Sequence, residues 1–214
     1  VHYDIPCGSF KNLRHAAMAE LEDTVVAFTP GMQKRLTARL QTMIERSLSC
    51  FPELRGKTIT VGYTRKHLGS ATVISRSGAV TRLVIRLRAR RVCYQTIGHE
   101  LTHLIQGLTR GDRSNAGSSP HAKLPSGEKQ CDIWTLARHE MFCDDAPTYL
   151  RLPRFVRESW SGYAPSVRAL CVAAVEKRKT HRRYIRWLEA ELAKLPKMPP
   201  RHTSPRQFEL PFDR

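Results

Sequence analysis

Apolar residues recur at helical spacing from Phe10 to Phe28, where Leu13, Ala17, Leu21 and Val25 form one stripe. A first helix is expected there. Thr29-Pro30 has the chemistry of an N-cap followed by proline at the first helical position. Leu36, Leu40, Met43, Ile44 and Leu48 then supply the buried face of a second helix, which Phe51-Pro52 ends. From Lys57 the period changes to two. Thr58 to Tyr63, Ala71 to Ile74 and Thr81 to Arg88 are β-branched, alternating runs, so three strands are expected, with a hairpin at Ser77-Gly78 between the last two. On the third strand Leu83, Ile85 and Leu87 face one way. Arg82, Val84, Arg86, Arg88 and Arg90 face the other, because side chains alternate along a strand, and they form a basic stripe.

Helical spacing returns from Val92 to Leu108, with Ile97, Leu101, Leu104, Ile105 and Leu108 as its apolar set. Gly111 to Gly127 is rich in Gly, Ser, Pro and Asn and reads as a loop, long enough to suggest a function of its own. A further helix begins near Glu128 and runs through Ile133, Trp134, Leu136 and Ala137. A last long helix is expected from Pro165 to Leu195, followed by a Pro-rich linker from Lys197 to Arg206 and a tail from Gln207. Helices and strands in this order give an α+β domain.

His99-Glu100-Leu101-Thr102-His103 fits H-E-x-x-H on the helix from Val92. Residues at i and i+4 share a helix face with Cβ atoms about 5–6 Å apart, so both imidazoles can reach one ion. Glu100 stands one step round, placed to take a proton from an attacking water. The apolar face would bury this helix, and a buried helix seldom carries two histidines and a glutamate idly. A catalytic zinc needs a third protein ligand and an open position. Glu128 is the first choice, with Asp132 on the same face at i+4 holding the free ring N–H of a ligand histidine. His121 and Asp132 are the alternative ligands. His139-Glu140-x-x-Cys143 nearly repeats the motif and reads as a helix end with a buried thiol. Tyr149 and His121 are candidates to stabilise an oxyanion, and Cys7, in Pro6-Cys7-Gly8, is a candidate inhibitory thiolate.

His99-Glu100-x-x-His103 followed by Glu128-x-x-x-Asp132 resembles the gluzincin clan of zinc metallopeptidases, the thermolysin-like group, in its small, minimal form. The likeness covers Val92 to Arg138 by motif. It implies a zincin-like fold with N-terminal helices, a small three-stranded mixed sheet, an active-site helix, a glutamate helix and a long basic C-terminal helix. It also implies Zn²⁺ on His99, His103 and Glu128, with peptide hydrolysis assisted by Glu100. Residues 1–56 would then be an N-terminal helical segment, 57–150 the catalytic core, 151–195 a basic helical segment, and 196–214 the linker and tail peptide. With His121 as ligand the site would instead resemble that of SprT-like proteases, which act on DNA-bound proteins.

Charge changes the picture most. The 214 residues carry 36 Lys and Arg against 19 Asp and Glu, a net charge of +17. Residues 151–214 alone hold 15 Lys and Arg against 6 Asp and Glu. So basic a chain implies a polyanionic neighbour, DNA being the first expectation. Arg82, Arg86, Arg88 and Arg90, with Lys177, Arg178, Lys179, Arg182, Arg183 and Arg186, are the candidate phosphate contacts. Gln207-Phe208-Glu209-Leu210-Pro211-Phe212 resembles the peptides that dock bacterial proteins on the sliding DNA clamp, with Gln207, Leu210 and Phe212 as anchors. Six cysteines without C-x-x-C spacing suggest free thiols in a reducing compartment. No secretory leader or membrane-spanning stretch is visible, so a cytoplasmic, nucleoid-associated protein is expected. Three functions follow: a zinc metallopeptidase acting near DNA, a general or defence-related peptidase without DNA dependence, and a DNA- or clamp-binding module with structural zinc.

Overall fold

The computed structural model describes residues 24–76, 79–111 and 124–197. Cys7, His121, the tail anchors Gln207, Leu210 and Phe212, and most of the first expected helix lie outside them. Val25–Phe28, expected to end that helix, is a strand, β1. It pairs in parallel with β2 (Thr58–Tyr63), Val25 lying opposite Thr58 and Phe28 opposite Val61. The sheet therefore has four strands and not three. β3 (Gly69–Arg76) and β4 (Ala79–Leu87) complete it in the order β1-β2-β4-β3. β4 runs parallel to β2 and antiparallel to β3, as the expected hairpin requires. β3 is an edge strand, paired on one side among the described residues.

The second expected helix is split by its own caps. The Thr29 hydroxyl accepts from the Met32 N–H and opens α1 (Pro30–Gln33); the Thr37 hydroxyl accepts from the Leu40 N–H and opens α2 (Ala38–Ser49). Each threonine satisfies an N–H that the first turn leaves unpaired, so each starts a helix of its own.

α3 (Tyr94–Gly111) lies on the sheet face made by Ile59, Val61, Leu83, Ile85 and Leu87. Ile97, Leu101 and Leu104 are wholly buried there, each contributing about 1.5–3 kcal/mol by leaving water. The contact is close because Gly107 faces Val73 of β3, where an added Cβ would stand 2.3 Å from a valine methyl. The start of α3 is held from outside the helix: the Asp144 carboxylate accepts from Tyr94 N–H at 2.6 Å and from Gln95 N–H at 2.9 Å. It serves as a borrowed N-cap and opposes the positive end of the helix dipole. Asp144→Ala is expected to lower stability by about 1–2 kcal/mol, read as a shift of the urea unfolding midpoint; an unshifted midpoint would remove the cap from the account.

α4 (Glu128–Arg138) crosses α3 at Gly98, where a Cβ would come within 2.6 Å of Thr135 and 2.7 Å of Phe142. The hydroxyls of Thr102 and Thr135 hydrogen-bond across the same crossing at 2.9 Å. Beyond α4, Leu150 and the helices α5 (Arg154–Glu158), α6 (Trp160–Lys177) and α7 (Tyr184–Ala193) build a second core on Ile133 and Leu136. The single helix expected from Pro165 to Leu195 thus starts at Trp160, contains Pro165 and breaks between Lys177 and Tyr184. A continuous helix would have set Arg178 over Arg182 and Lys179 over Arg183 at i and i+4, pairs that repel. No helix among the described residues is long and apolar enough to cross a membrane.

Candidate metal centre

Mid-helix on α3, the His99 and His103 side chains point to one spot, their Nε2 atoms 3.2 Å apart and their rings edge to face. Glu128 reaches the same spot because Gly127, at φ +115°, turns the chain sharply into α4 and makes Glu128 its first residue. Its Oε2 stands 3.0 Å from each Nε2. Asp132, one turn further along α4 and fully buried, accepts from His99 Nδ1 at 2.8 Å and from Gln95 Nε2 at 3.1 Å with one oxygen. With the other it accepts from the N–H groups of Tyr149 and Leu150 at 2.6 and 2.8 Å. One carboxylate thus ties α3, α4 and the segment before α5 together.

The partners of the two Nδ1 atoms assign a tautomer to each neutral ring. The Asp132 carboxylate accepts from His99 Nδ1, and in the neutral ring this turns the Nε2 lone pair outward. Gln106 donates its Nε2 to the carbonyls of Pro125 and Gly127, which leaves its Oε1 to accept from His103 Nδ1 at 3.0 Å. His103 therefore also presents a lone pair on Nε2. With both rings neutral in these tautomers, two imidazole lone pairs and a carboxylate oxygen meet at 3.0–3.2 Å. Such a convergence of acceptors is repulsive unless a cation sits between them. A proton on one imidazole would relieve one contact and leave acceptor against acceptor at another.

Cys131 adds a fourth candidate that the sequence did not single out. One donor atom from each of His99, His103 and Cys131 lies within 4.8 Å of the others, a grouping that could hold a metal ion. Its sulfur, however, approaches the rear of the ring, 3.3 Å from His103 Nδ1 and away from the point shared with Glu128. Burial, and then the charges of Glu128 and Asp132, push the thiol pKa far up in the metal-free site. No family model, curated protein or solved structure matches this chain. The site is therefore read from its own residues.

Glu100 is buried beside the histidines, and its side chain makes no hydrogen bond to protein among the described residues. Burial, with the Glu128 charge adding and His99 opposing, raises its pKa to about 7. Its carboxylate rests against the backbone of Gly69 on β3, where a Cβ would stand 2.5 Å from Oε1. Burial alone would lower the His99 pKa, but the hydrogen bond and charge of Asp132, together with Glu100 and Glu128, hold it above the ordinary value. The Tyr149 ring stacks on that of His99 with centroids 5.4 Å apart. His99, Glu100, His103, Glu128 and Tyr149 open into a cleft of about 900 Å³, bounded on the β3 side by Gly69, Ser70, Ala71, Val73 and Ser75.

Of the residues expected from sequence, His99, Glu100, His103, Glu128, Asp132 and Tyr149 come together here, while Arg82 to Arg90 and Lys177 to Arg186 lie outside the cleft lining. The arginine stripe is shorter than expected. Arg82 and Arg86 are exposed on β4 but Val84 between them is buried, and Arg88 and Arg90 lie beyond the strand's end at Leu87. Of the six basic residues from Lys177 to Arg186, Lys177 lies over the Trp187 ring, Arg178 near the Trp134 ring and Lys179 against Glu176. Gln95, Gln106 and Cys131 were missed. Gln95 stands four residues before His99 and Gln106 three after His103, so a polar stripe continuing the histidine pair on an apolar helix was the signal available.

Proposed function

We propose that this chain is a zinc-dependent metallopeptidase of the gluzincin kind, with a zincin-like core in which His99, His103 and Glu128 hold the metal. The observation that carries the proposal is the meeting of three atoms able to ligate a metal, two imidazole nitrogens and one carboxylate oxygen, at 3.0–3.2 Å in a cleft. Two nitrogens and one oxygen suit zinc and leave a coordination place for solvent. When bound there, zinc supplies a Lewis acid that polarises the scissile carbonyl and acidifies water.

The chain's own residues do the rest. Glu100, with a carboxyl that burial makes more basic than usual, takes the proton of the attacking water and hands it to the leaving amine. Asp132 fixes the His99 tautomer and orientation, and Gln106 those of His103. Tyr149, half-exposed and held at its backbone by Asp132, donates its hydroxyl towards the oxyanion. An extended peptide substrate adds to the unpaired side of β3, its backbone groups satisfying those of the edge strand. The net charge of +17 and the exposed Arg82 and Arg86 support work beside nucleic acid, on DNA-bound or crosslinked proteins. Docking on a sliding clamp through Gln207, Leu210 and Phe212 remains part of this proposal.

A structural site closed by Cys131 is the rival that the His99, His103 and Cys131 grouping favours. The two separate in one experiment, metal content and peptide hydrolysis of Glu128→Ala and Cys131→Ser beside the wild type. Glu128→Ala is expected to lose more than about 100-fold in metal affinity, beyond the usual loss of a supporting contact, and with it all hydrolysis. Cys131→Ser is expected to keep both. The reverse pattern, or wild-type protein without stoichiometric metal, would overturn the peptidase.

A further inference from the structure

A second concavity, of about 570 Å³, is lined among the described residues by Arg35, Tyr63, Arg65, Arg88, Arg90 and Arg91. Five guanidinium groups from three separate parts of the chain meet in it. Arg35 follows α1, its Nη1 donating to Gly31 O at 2.8 Å and its guanidinium lying 4.1 Å over the Tyr63 ring. Tyr63 ends β2, and Arg65 lies in the connection to β3. Arg88, Arg90 and Arg91 belong to a turn after β4 that is closed by Arg91 N–H donating to Arg88 O at 2.9 Å, while Arg88 N–H donates to Leu68 O. Backbone hydrogen bonds therefore hold these arginines together, against their mutual repulsion.

None of the five pairs with a carboxylate among the described residues. Elsewhere the chain spends its few acids on cations, as in Arg138 with Glu53 and Lys129 with Glu189. Arginine is always charged and presents its donors in a planar fork that fits phosphate oxygens two at a time. Hydrogen bonds from Arg65 first, then Arg35, hold the Tyr63 phenol pKa below its usual value, another sign of concentrated positive field. A solvated basic face would spread its charges over a convex surface, whereas these converge.

We propose that this pocket binds the phosphodiester backbone of a nucleic-acid strand. Five paired-donor groups in about 570 Å³ match several successive phosphates and exceed what one free phosphate needs. The exposed Arg82 and Arg86 continue the basic surface along β4. The connection between β2 and β3 separates this pocket from the cleft of the metal centre: Arg65 lines one, His67 and Leu68 the other. A strand held here brings proteins bound to it to the rim of the cleft. The proposal deepens the nucleic-acid part of the function proposed above, and strand binding does not depend on the metal.

The test uses the full chain and a fluorescently labelled single DNA strand of about 16 nucleotides, with anisotropy followed from about 50 to 200 mM salt. Arg65→Glu, Arg90→Glu and Arg91→Glu together are expected to weaken binding at least tenfold and to flatten the log–log salt slope by about 2, at roughly 0.7 per lost phosphate contact on a single strand. The same charge change at Arg151, Arg154 and Lys194 is expected to cost less than about threefold, while the triple Arg→Lys variant at the pocket, which keeps the charge and loses the fork, is expected to fall between the two. Unchanged thermal midpoint and metal content check that the variants fold. Equal losses in the two charge-reversed proteins would overturn the proposal, leaving only general attraction. So would displacement of the strand by pyrophosphate or polyglutamate at matched charge concentration. If hydrolysis fails in every protein while the pocket dependence holds, the peptidase falls and the strand site stands.

Discussion

Glu100→Gln protein is expected to bind metal as the wild type does and to hydrolyse peptides about 10²–10⁴ times more slowly, the range that a positioned general base supplies. The amide keeps the shape of the side chain against Gly69, so the cleft is preserved. It removes the basic oxygen and nothing else that the protein uses, because the carboxylate has no hydrogen bond to lose among the described residues. Burial already makes the charged form costly, as the pKa near 7 records, so stability should hold or rise slightly. Initial rates on a quenched peptide, with metal measured on the same preparation, decide the matter. Activity within tenfold of wild type would take the base role from Glu100.

Asp132→Asn has the second large effect, on two properties at once. The carboxylate receives four donors: a ring N–H, a side-chain amide and two backbone N–H groups. An Asn side chain offers one oxygen, and its NH₂ would face two of these donors. Each orphaned buried donor costs about 1–3 kcal/mol and the costs do not add fully, so a total of about 3 kcal/mol is expected in urea unfolding. Metal affinity should fall about 10–100-fold, because His99 loses the contact that fixes its lone pair outward. A fall in stability with metal affinity unchanged would reduce Asp132 to a fold clamp.

The centre was legible because its geometry is local. Four residues apart on a helix is a distance in space, so His99 with His103 and Glu128 with Asp132 each carried their arrangement in the sequence. That Glu128 should meet both histidines depended only on how α4 crosses α3. β1 was not legible, since Val25 lies four residues beyond Leu21 and extends a helical stripe; parallel pairing with residues more than thirty positions away decides otherwise. The break after Lys177 has no Gly or Pro to announce it, and follows from crowded charge and from Tyr184, Leu188 and Leu192 packing into the second core. The arginine pocket was seen as a line along one strand, because nothing local tells that Arg35 and Arg65 arrive beside Arg88 and Arg90.

The bank of the cleft formed by β3 carries Gly69, Ser70, Ala71, Val73 and Ser75, none with a side chain larger than valine. Gly69 must stay bare to leave Glu100 its room. A polypeptide lying along such a bank is gripped by its main chain, and its side groups meet little that could tell one from another. Discrimination between targets then falls to Thr148, Tyr149 and the exposed Leu68 at the margins, so the enzyme proposed here would choose where to cut mainly by what is brought to it.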